Sequence, residues 1–246
     1  MQDTLSVALF LSMAAAVNQG ERMIPRSAKD KEYFPQDWFQ SQAARVPGVS
    51  IDPQGRNSYP DFWVSRDDLT EGYEVKSLAF AQGRPARTDI DFNSTIPSGM
   101  KAGRPVFLLF LLYTDSGANP RPVHSLVVAH ADLINCDHEL ADFHINSSIR
   151  QFGSFGDGFI RDRKMYVLPH PLTIYPDGIG RLSLIVPATW GIAATGLRKV
   201  HELQREVAQT RLTGYEINLW GGEATSERQP SPRAGETLPF DVFEPD

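Results

Sequence analysis

The sequence predicts an α/β fold with a central mixed β-sheet flanked by helices. Residues 106–113 form an uninterrupted apolar run, which is typical of a strand that is buried on both faces and therefore central. Residues 61–64 and 73–78 are rich in strand-forming residues and enclose a polar connection that ends in Gly72, a pattern that indicates a hairpin. Residues 4–18 have the length, the apolar content and the flanking cap residues of a helix.

The same signals predict the remaining elements. A second helix is expected over residues 35–46, because proline is favourable in a first helical turn and Pro47 follows. Other helices are expected over residues 132–143 and 197–212, the latter because four apolar residues recur at helical spacing. Short strands are predicted at residues 49–51, 125–129, 182–186 and 215–220.

Composition indicates one ordinary globular domain with an acidic tail. Hydrophobic residues make up 41% of the 246-residue chain and charged residues 22%, as in typical globular proteins. Residues 223–246 contain six acidic residues and two arginines, so they carry −4 of the net charge of −6 and leave −2 for residues 1–222. We therefore expect a single domain over residues 1–222 and an acidic, weakly ordered tail over residues 223–246. Because the tail carries most of the negative charge, the acidic balance argues only slightly against a nucleic-acid partner.

The cysteine content and the first twenty residues indicate the cellular compartment. The single cysteine, Cys136, excludes an internal disulfide and a cysteine-based zinc site. Residues 5–17 are apolar, but no lysine or arginine precedes them and Asp3 does, which is not typical of a signal peptide. No apolar run approaches the roughly 18 residues of a membrane span. We therefore expect a cytoplasmic protein that does not associate with membranes.

The predicted hairpin carries the residues that are best suited to metal binding and catalysis. Asp61 stands at the start of the first strand, and alternation places Glu74 and Lys76 on one face of the second. If the two strands pair, Asp61 and Glu74 converge at one edge, where two carboxylates bind a hard divalent cation through oxygen. The alternative is a structural hairpin with a solvated carboxylate and a cross-strand ion pair.

Pro60-Asp61 followed by Glu74-Val75-Lys76 resembles the active-site motif of the PD-(D/E)xK nuclease superfamily, and within it the type II restriction endonucleases. The resemblance covers about twenty of the 246 residues and implies a restriction-endonuclease-like mixed sheet flanked by helices. It also implies that Asp61, Glu74 and the carbonyl of Val75 hold Mg²⁺ and that Lys76 orients or deprotonates the attacking water. Some relatives add a glutamate from an upstream helix, for which Glu32 is the first candidate and Glu21 the second.

The function that the resemblance implies is Mg²⁺-dependent hydrolysis of double-stranded DNA at a short specific sequence, leaving 5′-phosphate ends. Recognition of palindromic sites implies a two-fold symmetric homodimer. A repair, junction or modification-dependent nuclease is an alternative within the same fold. A non-catalytic DNA-binding module, in which the carboxylates only form ion pairs, is an alternative of another class.

Two polar segments are candidates for contact with DNA, because arginine and amide side chains read bases while lysine and serine more often hold phosphates. A solvated surface loop is the alternative for each. The first segment follows the motif, and its candidates are Gln82, Arg84, Arg87, Asn93, Ser94, Thr95 and Lys101. The second lies within residues 146–166, and its candidates are Arg150, Gln151, Ser154, Arg161, Arg163 and Lys164.

Overall fold

The fold was analysed in a computed structural model of the 246-residue chain. The residues that the structure describes are 4–27, 29–30, 33–55, 58–81, 84–85, 90–92, 99–114, 120–134, 165–167, 181–207, 209–218, 223–230 and 233–246. Within these residues the chain forms two helices and a large mixed sheet, which confirms the predicted α/β class.

The two helices lie where the sequence predicts them, with small shifts at their ends. Helix α1 spans Leu5–Asn18, and helix α2 spans Tyr33–Ala43. Helix α2 starts two residues before Pro35 because the side chain of Asp30 accepts a 2.8 Å hydrogen bond from the amide of Tyr33. An aspartate in this position satisfies one of the amides that a helix start leaves without an intrahelical partner. Neither helix is long and apolar enough to span a membrane.

The strands fall into one large sheet and two separate ribbons. In chain order they are β1 Arg22–Met23, β2 Ser50–Pro53, β3 Phe62–Arg66, β4 Leu69–Ala81, β5 Arg84–Pro85, β6 Ile90–Phe92, β7 Met100–Lys101, β8 Arg104–Thr114, β9 Arg121–His130, β10 Met165–Val167, β11 Leu182–Pro187, β12 Leu197–Glu206, β13 Thr210–Asn218, β14 Glu223–Pro230 and β15 Thr237–Pro245. The large sheet has the order β12-β15-β11-β9-β8-β4-β3-β2, and β1, β5 and β7 pair with β9, β4 and β8. Strands β6 and β10 form one ribbon, and β13 and β14 form the other.

The large sheet is mixed, as predicted, because β4 runs parallel to β8 and β9 runs parallel to β11 while the other long pairs are antiparallel. Both helices pack on one face, which we call the helix face, together with Tyr73, Phe107 and Leu109. Leu108 and Phe110 belong to a second apolar cluster on the opposite face. Strand β8 is therefore buried on both sides, which confirms the central strand predicted from residues 106–113.

The hairpin of β3 and β4 forms, but its turn is tighter than the sequence indicates. Arg66 pairs with Leu69, so the connection is a two-residue turn rather than a polar loop that extends to Gly72. Asp67 occupies the turn with a φ of 54°, a conformation that aspartate tolerates better than most residues. Polar residues continue the two strands toward the turn, and the hydroxyls of Ser65 and Thr70 are 2.9 Å apart across them.

The predicted helix over residues 197–212 is wrong, because Leu197–Glu206 forms strand β12, which pairs antiparallel with β15. A bulge between Lys199 and His201 shifts the register of β12. As a result Leu197 packs against the helix-face cluster, whereas Leu203, six residues later, packs against the opposite cluster. An unbroken strand would place both on one face, so the bulge explains why the apolar spacing imitates a helix.

The expectation of a weakly ordered tail over residues 223–246 is also wrong. Residues Glu223–Pro230 form β14, and Thr237–Pro245 form β15, which lies inside the large sheet between β12 and β11. Phe240, Val242 and Phe243 of β15 are buried. The acidic composition of the whole segment concealed this short apolar strand. Successive residues of a strand point to opposite faces, so buried apolar residues and exposed acidic residues can alternate within it.

The other short strands agree with the sequence. Residues 49–51, 125–129 and 182–186 fall in or beside β2, β9 and β11, and β9 neighbours β8 as expected. Of the strand expected at residues 215–220, residues 215–218 lie in β13, which begins earlier at Thr210, and residues 219–220 lie outside the described part of the chain. It is not the last strand, because β14 and β15 follow it. Of the helix expected over residues 132–143, only a short 3₁₀ turn at Ala131–Leu133 is described, and residues 135–143 lie outside the described part of the chain.

Candidate active site

The register of the hairpin brings Asp61 and Glu74 together. Phe62 pairs with Tyr73, so Asp61, which directly precedes β3, lies beside position 74 of β4. The Oδ2 atom of Asp61 accepts a 2.8 Å hydrogen bond from the backbone amide of Val75. The carbonyl oxygen of Asp61 accepts a second one, also of 2.8 Å, from the amide of Gln54. Both the backbone and the side chain of Asp61 are therefore fixed against the sheet.

Glu74 and Lys76 project from the face of β4 opposite the helices, as strand alternation predicts. The ammonium of Lys76 lies 3.0 Å from Oε1 of Glu74, and the two side chains are 26% and 12% exposed. The other carboxylate oxygen of Glu74, Oε2, is buried and has no hydrogen-bond partner within the described residues. A buried anionic oxygen without a partner is energetically costly, so a site of this kind favours the binding of a cation.

The electrostatics of Asp61 also favour a cation. Burial, followed by the charge of Glu74, raises the pKa of Asp61 to about 7. The amide of Val75, the ammonium of Lys76 and the side chain of Gln36 act in the opposite direction. Two neighbouring carboxylates that are both shielded from water repel each other when both are ionised, and a divalent cation between them removes that repulsion.

The donor set fits Mg²⁺. Groups of three or more His, Cys, Asp or Glu side chains arranged to hold a metal do not occur in the described residues. Mg²⁺ does not require such a cage, because it takes oxygen ligands, keeps several waters and is commonly bound through one or two carboxylates. Asp61, Glu74 and the carbonyl of Val75 supply oxygen donors of this type.

Gln36 of α2 also reaches the site, although no pattern in the sequence indicates it. Phe39, one helical turn later, packs on Phe62 and Tyr73 with ring centroids 5.2 and 5.1 Å away. This contact docks α2 over β3 and β4 and places the side chain of Gln36 in hydrogen-bond contact with Asp61. The position of Gln36 follows from helix packing on the sheet, which no local pattern in the sequence encodes.

The structure tests only one of the two upstream glutamates that were predicted to join the site. Glu32 lies outside the described residues, so its predicted role stays a prediction. Glu21 is held elsewhere, because Gln42 donates a 3.2 Å hydrogen bond to its Oε2 atom and Arg45 donates one to its Oε1 atom. The structure therefore does not bring Glu21 to Asp61.

Gly72 explains how the chain packs immediately before Asp61. A Cβ atom at position 72 would lie 2.7 Å from Cγ of Pro60 and 3.1 Å from both Trp63 and Val106. Such distances are shorter than van der Waals contact allows, so only glycine permits Pro60 to rest against β4 here. The sequence indicated Gly72 as the end of a turn, whereas the structure uses it inside a strand.

Tyr59 and Lys101 extend the site along its edge. Burial, followed by the charges of Glu74 and Asp132, raises the pKa of the Tyr59 phenol well above its ordinary value. The ammonium of Lys101 donates a hydrogen bond to the carbonyl of Tyr59 and lies 5.1 Å from the centroid of its ring. Lys101 is thus the one predicted DNA-contacting residue whose side chain the structure describes.

The remaining predicted DNA contacts stay predictions. Arg84 lies in the short strand β5, and its side chain is not described. The others lie outside the described residues, namely Gln82, Arg87, Asn93, Ser94, Thr95, Arg150, Gln151, Ser154, Arg161, Arg163 and Lys164.

Strand β4 carries a second buried carboxylate, on the helix face, which the sequence did not reveal. Oε2 of Glu71 accepts a 2.6 Å hydrogen bond from the hydroxyl of Tyr73, and the carboxylate also accepts one from the backbone amide of Ser6. Ser6 lies in the first turn of α1, where Thr4 makes no side-chain cap, so Glu71 provides the cap from the sheet. Burial raises the pKa of Glu71 to about 7.

Comparison with models of known protein families gives no match for the chain. Comparison with curated proteins gives no match either. The convergence of Asp61, Glu74 and Lys76, with Gln36 and Val75 orienting Asp61, is therefore the observation from which a function can be inferred.

Proposed function

We propose that the chain is a Mg²⁺-dependent deoxyribonuclease of the type II restriction endonuclease class. It would hydrolyse phosphodiester bonds in double-stranded DNA at a short specific sequence and leave 5′-phosphate ends. The observation that supports this proposal is the convergence of Asp61, Glu74 and Lys76 at one point of the sheet, where an oxygen of Glu74 is buried without a partner among the described residues.

In this proposal the carboxylates of Asp61 and Glu74 and the carbonyl of Val75 hold Mg²⁺. When bound, the ion lowers the pKa of a coordinated water and screens the charge of the phosphate. The ammonium of Lys76, 3.0 Å from Glu74, orients the attacking water and donates hydrogen bonds to the reacting oxygens. Lys76 is partly exposed, so it lies where a phosphate from solution can reach it.

Gln36 and the amide of Val75 act through Asp61. Each donates a hydrogen bond to its carboxylate, and each thereby favours the ionised form that a metal ligand requires. They also restrict the rotation of the carboxylate, which keeps its metal-binding oxygens at the edge shared with Glu74. We assign them positioning roles, because neither contacts the reacting phosphate in this scheme.

Double-stranded DNA and a second copy of the chain are the partners of the proposed enzyme. A palindromic site has two-fold symmetry, so one protomer would cut each strand of such a site. Sequence-specific contacts then fall to the two polar segments that contain residues 82–101 and 146–166, of which the structure describes Lys101 at the edge of the site.

The test is cleavage of mixed plasmid and phage DNA by the purified chain, with and without Mg²⁺. Asp61→Ala and Glu74→Gln are the inactive variants, and Glu71→Gln is the matched control because it alters a buried carboxylate on the other face of the same strand. Discrete bands that require Mg²⁺, persist in Glu71→Gln and vanish in the other two variants are the expected result.

Other outcomes point to the alternatives. A smear with the same dependence on Mg²⁺ and Asp61 would favour a repair or non-specific nuclease. The absence of cleavage on both unmodified and methylated DNA, combined with unimpaired folding, would overturn the proposal and leave a non-catalytic DNA-binding module.

A further inference from the structure

On the face of the sheet that carries Glu74, the next position along β4 toward the hairpin turn is Gly72, which pairs with Trp63 of β3. Phe62 and Val64 belong to the helix-face cluster, so Trp63, which lies between them, projects to the opposite face. The Trp63–Gly72 pair therefore borders Glu74 at a distance of about 7 Å along the strand, since each residue adds about 3.3 Å. The scheme above gives this pair no contact with DNA.

The missing side chain of Gly72 makes room for the indole ring of Trp63. A Cβ atom at position 72 would lie 3.1 Å from Cζ3 of Trp63, so the ring lies against the backbone of β4. Trp63 is partly exposed, and an indole held in this way presents a flat π surface. Gly72 therefore fixes this ring as well as Pro60.

Arg104 lies over the ring of Trp63. Phe107, three residues after Arg104 in β8, faces the helices, so Arg104 projects to the face that carries Trp63. Its Cζ atom is 5.4 Å from the centroid of the ring, within the range of a cation–π contact. Arg104 is exposed, and a cation–π contact uses none of the five N–H donors of a guanidinium. The ring therefore orients the guanidinium without engaging its donors.

Two hydroxyl groups lie on the same face beside Trp63. Ser65 and Thr70 pair across the hairpin, two residues nearer the turn than Trp63 and Gly72. Both are partly exposed, and their hydroxyl oxygens are 2.9 Å apart. One O–H is enough for a hydrogen bond between two hydroxyls, so the other can donate to a ligand. Arginine and hydroxyl side chains are common partners of DNA phosphates.

We propose that Arg104 binds a backbone phosphate of the DNA strand that is cut at Asp61 and Glu74, and that Trp63 is the positioning residue that holds the guanidinium. This inference rests on the proposed nuclease function. DNA carries a phosphate at every nucleotide, so a strand cut at the two carboxylates brings another phosphate over the surface that borders them. A guanidinium that is oriented by an aromatic ring can bind such an anion through two donors.

The charges on this face agree with a phosphate at Arg104. The carboxylates of Asp61 and Glu74 repel a phosphate as long as no cation lies between them. Arg104 attracts a phosphate under all conditions, because a guanidinium keeps its charge across the accessible pH range. The attraction by Arg104 therefore does not depend on the metal and can be measured in its absence.

The experiment measures equilibrium binding of the full chain to duplex DNA over a series of salt concentrations, with EDTA so that the DNA stays intact. Each phosphate that a protein neutralises contributes about 0.9 to the slope of log K against log salt. We expect Arg104→Ala to reduce the slope by about 0.9 and Arg104→Lys, which keeps the charge, to preserve it. Arg121→Ala is the matched control, because Arg121 also lies over aromatic rings, those of Phe34 and Tyr113, but on the helix face.

Trp63 is tested by its effect on affinity in the same assay. Trp63→Leu keeps an apolar side chain against Gly72 but removes the π surface. It should weaken binding by about 2- to 5-fold, the strength of a cation–π contact at an exposed site, and leave the slope unchanged. Trp63→Phe keeps an aromatic face and should bind as the wild type does. In the Arg104→Ala background, Trp63→Leu should cause no further loss, because both changes act on one contact.

A purely structural role of this stack has a different signature. If Arg104 only shields the ring of Trp63 from water, Arg104→Ala and Trp63→Leu lower the melting temperature and leave both slope and affinity at their wild-type values. That result overturns the phosphate contact. An unchanged affinity in Trp63→Leu alone overturns the positioning role of Trp63. If Trp63→Leu does not fold, Trp63→Met takes its place with the same expected loss of affinity.

The outcomes also separate this inference from the function on which it rests. DNA binding by the wild type with an unchanged slope in Arg104→Ala overturns the phosphate contact and leaves the nuclease proposal intact. An equal loss of slope in Arg121→Ala overturns it too, because the slope would then depend on the total charge of the protein. A wild-type chain that neither binds nor cleaves DNA overturns both proposals.

Discussion

Strand β4 carries a buried glutamate on each of its faces, and the two are held in different ways. Glu71, on the helix face, accepts hydrogen bonds from the hydroxyl of Tyr73 and the amide of Ser6. Glu74, three residues later on the opposite face, contacts Lys76 through one oxygen, while its other oxygen is buried without a partner in the described residues. Burial alone therefore does not separate a structural carboxylate from a candidate metal ligand.

The distinguishing feature is the set of partners. Glu71 is surrounded by donors that belong to the fold, and together they connect the sheet to the start of α1. Glu74 has a second carboxylate as its neighbour, an arrangement that opposes ionisation of Asp61 unless a cation is present. A carboxylate left incompletely satisfied by its own protein is therefore the stronger candidate for function.

Catalytic activity should separate the two glutamates most strongly. Glu74→Gln removes a proposed metal ligand and should reduce the rate of Mg²⁺-dependent DNA cleavage by about 10³-fold or more, as loss of a central electrostatic contribution does in other enzymes. Glu71→Gln should change the rate less than about 3-fold, because a conservative substitution away from the proposed metal site leaves the contacts to the transition state intact. Single-turnover cleavage rates of both variants, with melting temperatures as the control for folding, measure this difference.

Equal losses of activity in the two variants would contradict the comparison. They would indicate that any buried carboxylate of β4 is needed only to keep the sheet folded. A lowered melting temperature in Glu74→Gln but not in Glu71→Gln would also contradict the comparison, because it would assign the structural role to Glu74.

The second effect concerns the pH dependence of stability and belongs to Glu71. Its pKa in the folded protein, about 7, lies above the ordinary value of 4.5, so the folded state binds the proton more tightly than the unfolded state does. The contribution of Glu71 to the free energy of unfolding is fully present below pH 4.5 and is lost as the pH rises through about 7. This contribution is at most roughly 3 kcal/mol. Urea unfolding from pH 4.5 to 8 should therefore show a smaller decline in Glu71→Gln than in the wild type.

The direction of the pH dependence shows whether burial or hydrogen bonding dominates the pKa of Glu71. If the wild type became more stable between pH 4.5 and 7 through Glu71, the carboxylate would have to be stabilised in its charged form, and the difference between wild type and Glu71→Gln would reverse. Such a reversal would show that Tyr73 and Ser6 outweigh burial.

The third effect is the stabilisation of the fold by Mg²⁺, which should depend on Glu74 on the face of β4 opposite the helices. A ligand that binds only the folded state raises the free energy of unfolding by about 2.7 kcal/mol at a concentration one hundred times its dissociation constant. We expect Mg²⁺ to raise the melting temperature of the wild type and of Glu71→Gln, and to have no effect on Glu74→Gln. Thermal melts with Mg²⁺ and with EDTA measure this, and an equal response in all three proteins would place the ion elsewhere.

Local sequence patterns predicted the parts of the fold that local interactions determine. The hairpin of β3 and β4 needs only a two-residue turn and alternating residues, and β8 needs only its continuous apolar run. The convergence of Asp61 and Glu74 follows from that hairpin, so this half of the candidate site was accessible from the sequence.

Non-local pairing determined the parts that could not be predicted. Leu197–Glu206 is a strand because β15 pairs with it, and the bulge that disturbs its periodicity has no signature in its residues. The roles of Gln36 and Glu71 could not be predicted for a related reason. Their contacts depend on how α2 and α1 pack on the sheet, and residues up to 65 positions away in the chain supply the partners.

A weaker change in stability should follow loss of the Tyr73 hydroxyl, which donates a hydrogen bond to Glu71. Tyr73→Phe retains the ring that packs on Phe39 and Phe107 but removes the 2.6 Å hydrogen bond to Glu71. The loss should be about 1 kcal/mol of unfolding free energy, within the usual range for one buried hydrogen bond. It should grow as the pH rises from 5 to 8, because this hydrogen bond lowers the pKa of Glu71 and the charged carboxylate depends on it most. DNA cleavage should not change, since the hydroxyl lies on the face of β4 away from Glu74 and Lys76, and a loss of cleavage in Tyr73→Phe would show that the two faces are coupled.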